Sequence, residues 1–126
     1  MKYVLKLEAA GLFMFATALY FLMAAGSWTL YLALFFLPDM AFLFMFVSKK
    51  ATVVAYNILH HQGLMAVVGL AGLFFHQDIV LRIGLIFLAH AAFDRVAGYG
   101  LKYADSLDHT HLGWVGKSKQ LHQSVD

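Results

Sequence analysis

Four long apolar runs, separated by breaks of two or three residues, constrain this chain more than any other feature. They extend over about Val4 to Ala25, Trp28 to Val47, Thr52 to Phe75 and Ile79 to Gly98. Each has the length of about 20 mostly apolar residues that a membrane-crossing helix needs. The breaks are Gly26-Ser27, Ser48-Lys49-Lys50 and His76-Gln77-Asp78. Ser27, Ser48 or Thr52, and Asp78 suit the N-cap positions of the helices that follow. Connections this short make neighbours antiparallel. The expected fold is therefore all-α: a four-helix transmembrane up-down bundle over residues 1–103, with a cytoplasmic tail over 104–126 that can fold back over it. Composition agrees, since 62% of the 126 residues are hydrophobic and only 13% charged. A soluble domain carries about 25% charged residues.

The first run starts among Lys2 and Lys6 and could pass for a signal peptide. It is as long as a full span and contains Glu8, which favours a retained helix. In a four-span topology Lys2, Lys6, Lys49, Lys50, Arg95, Lys102, Lys117 and Lys119 share one side, and Arg82 lies near the other. Basic residues favour the cytoplasmic side. The expected location is the inner (cytoplasmic) membrane, multi-pass, with both termini cytoplasmic. Trp28 and Tyr31 mark the outer interface; Tyr99, Tyr103 and Trp114 suit the inner one. The net charge of +2, with no basic stripe, argues against nucleic acid. There is no cysteine, which excludes disulfides and thiolate ligands. The expected partners are the bilayer, a small amphiphilic or lipid substrate and, in a homo-oligomer, further copies of the chain.

Ionisable groups inside the runs are the functional signal, because each costs about 2.5–3.5 kcal/mol at a bilayer centre. Glu8 lies in the first run, and Asp39 follows Pro38 in the second. Asn57, His60 and His61 lie in the third; His90, Asp94 and Arg95 lie in the fourth. At 1.5 Å of rise per residue, His60, Asp39 and His90 each lie roughly 12–14 Å from the cytoplasmic end of their helices. Asp94 is one turn below His90, on the same face. Shared depth brings these groups toward one cytoplasm-facing pocket. Pro38 removes a backbone hydrogen bond beside Asp39 and kinks the helix there. Gly98 and Gly100 let the tail, with Asp105, Asp108, His109 and His111, turn back from below.

Imidazole with carboxylate suits a divalent metal: zinc first, with iron or manganese as alternatives. The expected ligands are Asp39, His60, His90, Asp94 and His111, with Glu8 and Asn57 as base or supporting groups. An open coordination position would make a hydrolase. No HExxH or ExxH motif is present, so the signal is a constellation. Three other readings compete. A proton- or cation-coupled carrier would use Glu8. A haem site would use His60 and His90. A purely structural polar network would fix helix register. Arg95 is expected to snorkel to the inner headgroups, and Gly63, Ala66, Gly69 and Gly72 to allow ordinary close packing.

Several segments carry a family resemblance: Leu37-Pro38-Asp39, Tyr56-Asn57-Ile58-Leu59-His60, and His90-Ala91-Ala92-Phe93-Asp94-Arg95. Gly98-Tyr99-Gly100-Leu101-Lys102-Tyr103 and Thr110-His111-Leu112-Gly113 extend it. Together they resemble the bacterial membrane-protein family known as domain of unknown function 4260, over roughly residues 6 to 114. The fourth-run block is the specific part. The resemblance implies a four-helix membrane protein, favours His60 over His61 and His111 over His109, and implies no reaction.

Overall fold

A computed structural model describes residues 2–23, 27–99, 101–103, 106–110 and 113–114 of the 126. Helices dominate: α1 (Lys2–Met23), α2 (Trp28–Phe35), a 3₁₀ segment (Leu37–Phe46), α3 (Lys49–Leu59), α4 (Gln62–Phe74) and α5 (Asp78–Ala97). Three short strands follow, β1 (Lys102–Tyr103), β2 (Ser106–Thr110) and β3 (Gly113–Trp114). They form an antiparallel meander in the order β1-β2-β3, with Lys102 opposite Thr110 and His109 opposite Trp114.

The breaks fall where the punctuation residues stand. Ser27 caps α2 by accepting the Leu30 N–H at 3.2 Å, and Ser48 caps α3 by accepting the Ala51 N–H at 2.9 Å. Thr52 is not the cap; its hydroxyl donates back to the Ser48 carbonyl at 3.0 Å. Asp78 is not a cap either. Gln77 takes that position without a side-chain bond, and Asp78 enters the first turn of α5, where its charge suits the helix N-terminus. Gly98, at φ +96°, ends α5; the Tyr99 N–H reaches back to the Asp94 carbonyl at 2.7 Å.

Two expected helices are not continuous. The second run is α-helical only to Phe35 and goes on as the 3₁₀ segment. Pro38 supplies no N–H, and the Asp39 N–H bonds the Phe36 carbonyl, three residues back, at 3.3 Å. The third run divides into α3 and α4, bent by 54° across His60 and His61. The His61 Nδ1 accepts the Leu64 N–H at 3.0 Å and so starts a new helix. The tail is the third difference, since an all-α fold was expected and it carries three short strands. Glycines at 98, 100 and 113 interrupt it, its strands pair with one another, and β1 lies against α3. Residues 115–126 lie outside the described residues.

α5 is the centre of the fold. Residues from Gly84 to Ala92 are buried without interruption, as in a helix packed on all sides. α4 and α1 make its largest contacts, with α2 adding a smaller one. α4 comes close because Gly69 and Gly72 face Gly84 and Leu81 across the contact. The α1–α2 corner is closed by the Tyr20 hydroxyl donating to the Ser27 carbonyl at 2.9 Å and by Thr17 and Tyr31 hydroxyls 2.7 Å apart.

Among the described residues, length and apolarity qualify α1 alone, over Tyr3–Met23, as a span in its own right; the bent pair α3–α4 qualifies if taken as one. Only 17% of the α1 window is buried, and Val4, Leu7, Met14, Phe15 and Leu22 are exposed along it.

A Cβ at position 84 would overlap the Gly69 backbone, whereas one at 69 would meet only ordinary contacts at 3.8 Å. Gly84→Ala is therefore expected to cost about 1–3 kcal/mol, and Gly69→Ala to leave stability near wild type. Thermal melts of the two purified variants check this asymmetry.

Candidate metal centre

Four side chains from three elements meet at one point: Asp39 from the 3₁₀ segment, His60 from the end of α3, and His90 and Asp94 from α5. One ligand atom from each lies within 4.8 Å of all the others. His60 Nε2 is 3.1 Å from His90 Nε2, 3.1 Å from Asp94 Oδ2 and 3.5 Å from Asp39 Oδ1. His90 Nε2 is 3.2 Å from Asp39 Oδ1 and 3.3 Å from Asp94 Oδ2.

These separations have a geometric meaning. A tetrahedron's edge is about 1.63 times its centre-to-corner distance, so donors about 2.0–2.2 Å from a zinc ion stand about 3.3–3.6 Å apart. Five of the six edges here measure 3.1–3.5 Å. The donors already stand at the spacing of a first coordination shell.

Proton positions point the same way. His60 Nδ1 lies 2.9 Å from the Tyr56 carbonyl, which can only accept. Nδ1 therefore carries the hydrogen, and in the neutral ring Nε2 turns a lone pair to the cluster. Metal-binding histidines are typically oriented this way by a backbone carbonyl. A second imidazole nitrogen and two carboxylates converge on the same point. Lone pairs this close require a shared positive charge, from protons or from a cation. Two carboxylates with two neutral imidazoles carry two negative charges, which a divalent ion neutralises.

Packing fixes the rings. Tyr56 stacks on His60, with centroids 3.8 Å apart and planes at 14°. Phe35 stands edge-on to His90 at 5.0 Å. The His60 carbonyl, at the α3–α4 bend, accepts from an Arg95 guanidinium N–H at 3.1 Å. His90 departs from the usual pattern, since its Nδ1 is buried with no hydrogen-bond partner among the described residues.

Sequence reasoning named all four clustered residues. Glu8 is exposed on α1 and is not part of the cluster; Asn57 is half-buried on α3, one turn before His60, and is also not among the four. His111 lies outside the described residues. His61, set aside in favour of His60, serves as the α4 cap. Sequence reasoning missed Arg95 as the group that holds the His60 carbonyl, and missed Tyr56 altogether. The missed signal was the run His60-His61-Gln62-Gly63, too polar and too glycine-poised for the middle of an unbroken span.

The fold and site define a small helical protein with a cluster of two buried histidines, a largely buried aspartate and a half-exposed one. The chain belongs to the family described as Domain of unknown function (DUF4260), whose model matches residues 2–115. No curated protein and no solved structure matches it.

The adjacent histidines separate by role. His61→Ala removes a cap and is expected to cost about 0.5–2 kcal/mol with the cluster intact. His60→Ala takes a donor out of the cluster and is expected to abolish retention of any ion the four residues hold. Thermal melts and elemental analysis of both variants distinguish the two effects.

Proposed function

We propose that this chain is a multi-pass membrane protein with both termini cytoplasmic. On this reading it holds a divalent metal, zinc first, at Asp39, His60, His90 and Asp94. It uses the ion to hydrolyse a small amphiphilic or lipid-like substrate. The observation that carries the reading is the set of donor separations of 3.1–3.5 Å, the edges of a coordination tetrahedron.

The membrane part rests on apolar surface that is exposed among the described residues. Besides α1, the α4 residues Val67, Leu70 and Phe74 and the following Phe75 are exposed. Contiguous apolar surface of this kind marks a lipid or protein contact. Within such a protein the bent α3–α4 pair makes one crossing. The broken backbone at His60 is tolerable there because it is buried and its carbonyl is paired with Arg95.

The substrate class follows from what flanks the open side. Asp39 has a half-exposed side chain, and its neighbours Phe36, Leu37, Met40 and Leu43 are all exposed and apolar. A molecule reaching the cluster from that side needs a polar group for the metal and an apolar body for its surroundings. A bound zinc would supply Lewis acidity and a water acidic enough to attack a carbonyl near neutral pH. The residues supply a preformed donor set, the aromatic rings of Phe35 and Tyr56 against its histidines, and an amphiphilic approach.

Purified protein in detergent is expected to carry about one zinc, iron or manganese per chain and to cleave a member of a panel of acyl esters and amides with long alkyl chains. Chelation should remove both the metal and the activity, and re-addition of the ion should restore them. His90→Ala and Asp94→Ala should lose both. A folded wild type without stoichiometric metal, whose turnover survives chelation, would overturn the reading.

A further inference from the structure

Resting on that metal-centre reading, we infer that Asp39 is its exchangeable ligand. Its carboxylate gives way to water or to the polar end of a substrate, while His60, His90 and Asp94 remain bound. The four donors are held very unequally. The His60 and His90 side chains are 2% and 3% exposed and that of Asp94 18%, but that of Asp39 is 48% exposed. His60 is pinned by the Tyr56 ring, by its Nδ1–H bond to the Tyr56 carbonyl and by Arg95 on its own carbonyl. His90 and Asp94 sit one turn apart on α5, the most deeply buried helix.

Asp39 has no such support. Among the described residues its carboxylate makes ion-pair contacts with the two imidazole nitrogens of the cluster. Its backbone belongs to a ten-residue 3₁₀ segment. Such runs rarely exceed three or four residues, and their hydrogen-bond geometry is poorer than that of an α-helix. Its own N–H bond, to the Phe36 carbonyl, is long at 3.3 Å. The donor on the least supported backbone is thus the one that faces outward. Three fixed protein ligands and one replaceable position is the arrangement of catalytic rather than structural zinc sites. A four-ligand resting shell is reconciled with hydrolysis if the outward carboxylate is the one that moves.

The test uses full-length protein, stripped of metal in detergent and loaded with cobalt(II) chloride, read by bound cobalt per chain and by the visible spectrum. Asp39→Ala and the nearly isosteric Asp39→Asn are both expected to retain about one cobalt. Their affinity should fall by no more than about a hundredfold, the loss typical of a supporting group rather than of a fixed ligand. Their spectra should differ from wild type, and formate should restore the wild-type spectrum in Asp39→Ala by entering the vacated position. His60→Ala, His90→Ala and Asp94→Ala should hold no cobalt under the same conditions. Loss of cobalt from both Asp39 variants as complete as in Asp94→Ala would overturn the inference, because Asp39 would then be a fixed ligand. So would spectra identical to wild type without formate, because Asp39 would then not be a ligand. A wild type that binds no cobalt overturns the metal reading itself, and this inference with it.

Discussion

Mutual compensation among Asp39, His60, His90 and Asp94 is the interaction on which the interior depends. Burying an ionised carboxylate or an imidazolium alone costs several kcal/mol. Here two imidazoles, each about 2% exposed as residues, and a largely buried carboxylate sit against an otherwise apolar core. They are tolerable only as a set. Removing one partner of such a buried group typically costs about 3–5 kcal/mol, because the remaining charge is left uncompensated. α1 and α4 pack on α5, and α5 carries two of the four groups. The electrostatic centre and the packing centre are therefore one helix.

The backbone irregularities serve that centre. A straight helix through residues 52–75 would carry His60 past the cluster with its carbonyl bonded inside the helix. The bend frees the carbonyl for Arg95 and lets His61 cap the next helix. The α-helical pattern stops at Phe35, and the buried Pro38 follows inside the 3₁₀ segment, one residue before Asp39. The close approach of α4 to α5 at Gly69, Gly72 and Gly84 holds the far side of the bend. Broken helices here are the means by which three elements deliver donors to one point.

The helical character of the chain was legible from its apolar runs, and so were most of its boundaries. Ser27, Ser48 and Gly98 announce them by their own chemistry. The identity of the four clustered residues was legible because an ionisable group in an apolar run demands a partner. The shared depth of His60, Asp39 and His90 said which partners were available. Helix geometry was less legible, since hydropathy measures how apolar a segment is and not whether its hydrogen bonds run to the third or the fourth residue back. The 3₁₀ segment and the 54° bend are invisible to it. Arg95 was misread for a related reason. A cation at a helix end suits lipid headgroups by default, and its attachment to His60, 35 residues away, depends on a bend that hydropathy alone does not mark.

The membrane reading and the metal reading support each other through a single residue. A purely structural polar network would bury all its members, because exposure weakens the electrostatic interactions that make such a network worthwhile. Three members obey that rule and Asp39 does not. Phe36, Leu37, Met40 and Leu43, near it in sequence, are exposed as well. In water such apolar surroundings would be a liability. At a lipid boundary they are the natural rim of a site whose substrate keeps its tail in the apolar phase and presents its polar group inward. The half-exposed carboxylate is out of place in a register-fixing network, but suits a polar centre that an amphiphile reaches from the side.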